Sequence, residues 1–224
     1  AFGDGAGNFK PWQAVSPTIV PQSVNVFYVV VAYLNSDSHL DVAVTTGDNI
    51  GPNSSSVAVL LGDGRGGFSA PTFTFPGHDA IGFLVAADID GNLTNDLALM
   101  GLKAAYPSQW SVTTLLNDGS GNFRMGSTRG ADARPRHLAP GDFNEDGYAD
   151  LLYTTDDAVS GVPGRAKLLI NDRAGGFLPE VNFPMDAAPT AISVTDLDND
   201  GHVDVAIAHD EFFAATNIVA VLHG

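Results

Sequence analysis

The sequence predicts an all-β fold, a β-propeller of four four-stranded blades, and three observations lead there. Two short motifs recur in step along the 224 residues. The apolar runs between them are too short for helices and are bounded by turn residues. Each period has room for four such runs, and four-stranded units repeating every roughly 40–60 residues mark propeller blades.

The first motif occupies residues 33–41, 88–96, 142–150 and 196–204, which align without gaps. Their closing aspartates, Asp41, Asp96, Asp150 and Asp204, stand 55, 54 and 54 residues apart. The second motif is Asp-Gly-rich and ends in phenylalanine. It fills residues 62–68, 117–123 and 171–177, with a fourth copy at 3–9.

Within each period an apolar stretch such as 83–87 supplies the first strand. A nearly continuous apolar run after the closing aspartate (41–44, 96–99, 150–153, 204–207) supplies a second, buried on both faces. A third strand follows at 56–61 or 218–222, then an Asp-Gly hairpin whose glycines supply positive φ. The recurring phenylalanine opens the fourth strand, where its strict repetition points to packing between blades.

The chain reads as one domain, 1–224, of four repeats of about 54 residues. It opens with a fourth-strand motif and closes at the end of a third strand, so residues 1–20 are expected to complete the last blade. Two chains joined in an eight-bladed homodimer, or a piece of a larger propeller, fit the same pattern.

The first motif has the form D-x-[DN]-x-[DN]-G-x-x-D. Alternate oxygen-bearing side chains in a tight loop converge on one point, and a backbone carbonyl at position 7 completes an oxygen cage. Calcium takes six to eight hard oxygen ligands. Zinc favours His or Cys, and magnesium a tighter octahedron.

The third loop (Asp142, Asn144, Asp146, Asp150, with Tyr148 at position 7) is complete. So is the fourth (Asp196, Asp198, Asp200, Asp204, with His202). The second keeps Asp88, Asp90, Asn92, Thr94 and Asp96 but has Leu93 where glycine is expected. The first has Tyr33 in place of the leading carboxylate, leaving Asn35, Asp37, His39 and Asp41, so three to four calcium ions are expected. Solvated turns also favour Asp, Asn and Gly. They explain one such loop but not four at one spacing. An EF-hand is excluded because position 12 is Tyr153 or Ile207 rather than Glu, and a strand-like run follows where a helix would start.

Residues 141–151 and 57–68 carry close to the usual text of the FG-GAP/VCBS family, and the chain resembles these integrin-α-like repeats over nearly its whole length. The resemblance implies a propeller with calcium in the loop between the first and second strands of each blade; Tyr33 is the clear departure. Similar repeats build integrin heads, fungal and bacterial lectins, and accessory domains of secreted enzymes. Family resemblance therefore speaks to the scaffold more than to the activity.

Composition narrows the function. The formal net charge is −16, which argues against nucleic acid and anionic membranes as partners. No apolar run is long enough to span a bilayer. Cysteine is absent, so neither disulfides nor thiolate sites staple the fold. Low lysine with abundant Gly, Asn, Ser and Thr leans towards a secreted or cell-surface protein, read here as mature or excised.

Hairpin geometry puts the Asp loops on one face of the propeller and the variable connections on the other. Those connections carry Tyr106, Trp110, Phe212 and Phe213, and the segments between blades add Arg134, Arg136 and His137. These are the candidate ligand-binding residues, able to stack on a sugar or anchor a protein, or to pack between blades. The expected function is a non-catalytic recognition module with structural calcium, carbohydrate-binding in a lectin-like way. Protein–protein adhesion of the integrin type is the alternative, and a secreted polysaccharide-active enzyme comes last. No HExxH, nucleophile elbow or cysteine is present, and the histidines are scattered.

Overall fold

Four antiparallel sheets follow one another along the chain in a computed structural model, which describes residues 25–47, 53–103, 109–156, 164–185, 188–210 and 218–224. Blade 1 comprises β1 (Asn25–Ala32), β2 (Asp41–Gly47), β3 (Ser56–Leu60) and β4 (Thr72–Thr74). Blade 2 comprises β5 (Ala80–Ala87), β6 (Asp96–Lys103), β7 (Gln109–Asn117) and β8 (Phe123–Ala131). Blade 3 comprises β9 (Arg134–Gly141), β10 (Asp150–Asp156), β11 (Arg165–Leu169) and β12 (Val181–Pro184). Blade 4 shows β13 (Ala188–Thr195), β14 (Asp204–Asp210) and β15 (Ile218–Leu222).

Every sheet is a simple meander in chain order, and no helix occurs among the described residues. The fold is the four-bladed β-propeller that the repeat predicts. The expected contribution of residues 1–20 to the last blade lies outside the described residues.

The second strands of blades 1 to 3 are buried on both faces, as their continuous apolar runs require, whereas in β14 Ala206 and Ala208 stay part-exposed on one face. The first strands carry an irregularity at the same place in each repeat: between Val26 and Val29, between Ile81 and Leu84, beside Thr154 and Thr155 of the partner strand, and between Pro189 and Ala191. A bulge increases local twist, and here it brings aromatic side chains of successive first strands together. The Tyr28 and Phe83 rings lie 4.4 Å apart, and Phe83 and His137 lie 4.3 Å apart.

The core is divided among the junctions between blades. Ala43, Val57 and Val59 of blade 1 pack on Leu84, Leu97, Leu99 and Leu115 of blade 2. Ala98, Met100 and Val112 of blade 2 meet Leu138, Leu151, Tyr153 and Leu169 of blade 3. Leu152 and Ala166 of blade 3 meet Val205 and Ile207 of blade 4. Phe123 and Phe177, two of the recurring phenylalanines, pack against these clusters as expected.

First strands therefore touch in sequence, β1 on β5, β5 on β9 and β9 on β13. No comparable packing joins β13 to β1.

Candidate metal loops and the cavity opposite

Each Asp loop is built on its closing aspartate. Asp41, Asp96, Asp150 and Asp204 are all buried, and each uses both carboxylate oxygens in the same way. One oxygen accepts the N–H of loop position 2: Leu34 at 2.7 Å, Ile89 at 2.8 Å, Phe143 at 3.0 Å and Leu197 at 2.7 Å. The other accepts an N–H just beyond the third strand or at its end: Gly62 at 2.8 Å, Asn117 at 2.7 Å, Asn171 at 2.7 Å and Gly224 at 3.0 Å. A buried carboxylate needs such partners. The closing aspartate thus ties the loop to the neighbouring hairpin of its own blade.

The leading aspartate folds the turn. Asp88 accepts the N–H groups of Gly91, Asn92 and Leu93 at 2.8–3.1 Å. Asp142 holds Asp146 and Gly147, and Asp196 holds Asn199 and Gly201. Position 6 is left-handed, as expected, at Gly147 (φ 85°) and Gly201 (φ 97°), and Leu93 adopts the same conformation (φ 68°). Position 4 is left-handed too, at Gly91, Glu145 and Asn199.

In the second loop, carboxylate oxygens of Asp88, Asp90 and Asp96 lie within 4.8 Å of one another. Asp90 Oδ1 is buried and accepts no hydrogen bond. Burial, chiefly, and the Asp90 charge push the Asp96 carboxyl up to about 6, against hydrogen bonds from the Asn117 and Ile89 N–H groups. A hard cation among these oxygens supplies what both groups lack, so the second loop fits one.

In the fourth loop Asp196, Asp198 and Asp200 converge within the same distance, and Asp198 and Asp204 also do so with His223. The third loop is arranged differently. There the Arg173 Nε donates to Asp146 Oδ2 at 2.9 Å and supplies positive charge from the protein itself. In the first loop Asn35 Oδ1 accepts the Asp37 N–H and Asp37 Oδ1 accepts the His39 N–H, so the turn forms around the gap left by Tyr33.

Neighbouring loops are stitched together. Asn95 Nδ2 donates to the Tyr33 carbonyl at 3.1 Å, the Ala149 N–H to the Asp88 carbonyl at 3.3 Å, and the His202 ring meets the Glu145 carboxylate. The Tyr148 ring lies over Gly91, where a Cβ would meet it at 2.4 Å. Thr94 donates its N–H to Asn92.

Two asparagines that spacing alone did not single out make buried hydrogen-bonded links between blades. Asn117 Nδ2 donates to the Leu34 and Asn95 carbonyls at 2.8 and 2.9 Å. Asn171 Nδ2 donates to the Ile89 and Ala149 carbonyls at 2.7 and 3.0 Å. Their place at the head of the Asp-Gly motif in two of three interior copies was the available signal.

On the face opposite the loops a cavity of about 670 Å³ opens at the end of blade 2. Its walls come from the entry to β5 (His78), the end of β6 (Lys103), the start of β7 (Gln109, Trp110, Ser111) and the end of β8 (Thr128, Asp132). Trp110 is half-buried, and the Arg134 guanidinium carbon lies 5.8 Å from its ring centroid. Asp132 is paired with the fully buried Lys167, whose Nζ also donates to Glu180 at 3.0 Å. The hydrogen bond from Lys167 holds the Asp132 carboxyl below its ordinary value, so the cavity keeps a carboxylate.

His78 is buried beneath this cavity, its Nε2 at 3.0 Å from Thr113 Oγ1 and its ring against Gly101. Burial, then the Lys103 charge, depress its pKa and keep the ring neutral.

The candidate ligand residues fare differently. Trp110 lines the cavity, and Arg134 stands against its ring. His137 stands in the ring stack of the first strands, part-buried against Phe83, and Arg136 is in an adjacent position of β9. Tyr106, Phe212 and Phe213 lie outside the described residues.

Residues 155–207 match the family model described as an FG-GAP-like repeat. That span includes the whole fourth Asp loop and most of the β14 strand. No curated protein matches the chain.

Proposed function

We propose that this chain, a four-bladed β-propeller carrying an FG-GAP-like repeat, is a non-catalytic extracellular recognition module, braced by calcium, that binds carbohydrate at the blade 2 cavity. The observation that carries the reading is the make-up of that cavity. An aromatic plate, Trp110, stands beside a carboxylate (Asp132), an amide (Gln109), hydroxyls (Ser111, Thr128) and an ammonium (Lys103) in a space of about 670 Å³. A sugar presents an apolar ring face edged by hydroxyls, and a cavity of this size with one aromatic wall and a few polar groups suits it.

Calcium acts at the other face. Asp88, Asp90, Asn92 and Asp96, and Asp196, Asp198, Asp200 and Asp204, are the residues that would hold it, and its charge offsets their mutual repulsion. The loop stitching described above carries that bracing from blade to blade.

A glycan array run with and without chelator, on the native chain and on Trp110→Ala, tests the reading. Binding that is lost in Trp110→Ala is expected. A flat array with strong binding to a protein partner would move the function to adhesion, and turnover of a polysaccharide would overturn the non-catalytic part.

A further inference from the structure

The cavity at the end of blade 2 carries opposite charges on the two sides of an aromatic plate. Strand register sets the order, with Trp110 of β7 standing between Leu102 of β6 and Ala131 of β8. Lys103 follows Leu102 and Asp132 follows Ala131, so an ammonium lies to one side of the indole and a carboxylate to the other. Two strand spacings separate them, on the order of 10 Å, a span that a pyranose ring with its substituents fills.

A hydrogen-bond chain sets the polarity of the cavity floor. His78 is buried and neutral, and its Nε2 lies 3.0 Å from Thr113 Oγ1, which lies 3.2 Å from Thr128 Oγ1. His78 Nδ1 is buried and has no hydrogen-bond partner among the described residues. A proton there would be an orphaned N–H in the field of the Lys103 ammonium, whereas a lone pair meets that charge favourably. The proton therefore sits on Nε2, which donates to Thr113. Thr113 then donates to Thr128, and the Thr128 hydroxyl is left to donate into the cavity.

The floor and the Lys103 side thus ask for acceptors, while Asp132 asks for donors. Lys167 engages Asp132 through Oδ1, and the Asp132 side chain is still 62% exposed. Arg134, exposed against the Trp110 ring, adds a second positive charge, and Asp79 beside His78 is engaged by the Asn53 N–H at 2.6 Å. The acidic loops do not cancel the Lys103 charge. Asp96 and Lys103 are the two ends of β6. They stand roughly 24 Å apart, about three screening lengths at physiological salt.

We propose that the ligand of this cavity is a carboxylate-bearing sugar, a hexuronate or a sialic-acid-type ring. The ring lies on Trp110, its carboxylate meets Lys103, and its hydroxyls donate to Asp132. This rests on the carbohydrate reading and narrows it to one class of saccharide.

Titration calorimetry of the full chain with a galacturonate trimer, its methyl ester and a neutral galactose trimer tests it. The acid should bind roughly tenfold tighter than either, the difference expected between a hydrogen bond to a charged group and a neutral one. Rising salt should erode that preference. Lys103→Gln should bring the acid down to the level of its ester; Lys103 is exposed, and a thermal melt establishes that the variant folds. Acid and ester bound equally, or a preference that survives in Lys103→Gln, would overturn the inference and leave the carbohydrate reading standing. On a glycan array, binding confined to uronate-bearing or sialylated glycans supports it and tells the two rings apart. Binding to neutral glycans alone overturns it and spares the carbohydrate reading, and a flat array overturns both.

Discussion

The side-chain amide of Asn117, in blade 2, donates to the main-chain carbonyl of Leu34, in blade 1, at 2.8 Å, and both groups are buried. Asn171 repeats the arrangement one blade on, reaching Ile89 at 2.7 Å. Each asparagine also holds a carbonyl in its own blade, so one amide fixes the distance between two sheets.

Replacing Asn117 by alanine leaves the Leu34 and Asn95 carbonyls without this donor. The expected loss is about 1–3 kcal/mol, because an unsatisfied buried acceptor carries its full desolvation cost. Thermal melts of Asn117→Ala and Asn171→Ala should both show it. Asp118→Ala, which removes the exposed hydrogen bonds from Ser120, should lose less than either asparagine variant.

Calcium binding should be visible as stability. An ion bound only by the folded state adds about 2.7 kcal/mol at a hundredfold excess over its Kd. Chelator should therefore lower the melting temperature, and Asp90→Asn and Asp198→Asn should each remove one ion by titration calorimetry. Tyr33→Asp installs the missing leading carboxylate and is expected to improve binding at the first loop. Arg173→Ala frees Asp146 and should tighten the third. No melting shift, together with no metal by elemental analysis, would rule calcium out.

Leu93 is 93% exposed and holds φ at 68°, a conformation that costs a side-chain-bearing residue about 1–2 kcal/mol. Leu93→Gly removes that strain but adds freedom to the unfolded chain, about 0.4–1 kcal/mol the other way. The net expectation is a gain of up to about 1.6 kcal/mol, read from denaturant midpoints. A clear loss would mean that the Leu93 side chain contributes something its exposure does not show.

His78 predicts a pH dependence. Burial and Lys103 lower its pKa in the fold below the ordinary 6.5, so the unfolded chain takes up that proton first. The stability from its neutral ring is present above pH 6.5 and is lost as pH falls from there towards the depressed folded value. His78→Gln should flatten this stretch of the stability–pH curve relative to the native chain. Gly101→Ala, whose Cβ would meet the His78 ring at 2.4 Å, should destabilise at every pH.

Much of the scaffold was legible because the repeat is written twice in every period. The Asp loops and the Asp-Gly hairpins fixed the strand order, the two faces and the doubly buried second strands. His137 was harder to place. Read alone it is a polar residue in a connecting segment, but Tyr28, Phe83 and His137 follow one another at 55 and 54 residues, and that spacing marks the ring stack. The cavity was illegible for a different reason. His78, Lys103, Trp110 and Asp132 come from four separate segments, and only the sheet register brings them to one end of blade 2.

The uneven covering of the blades gives the molecule a thermal direction. The β6 and β10 strands are buried along nearly their whole length, whereas β1 and β15 keep most of their described side chains exposed. Local opening should therefore begin at those two strands, and amide hydrogen exchange should run fastest in β1 and β15 and slowest in β6 and β10.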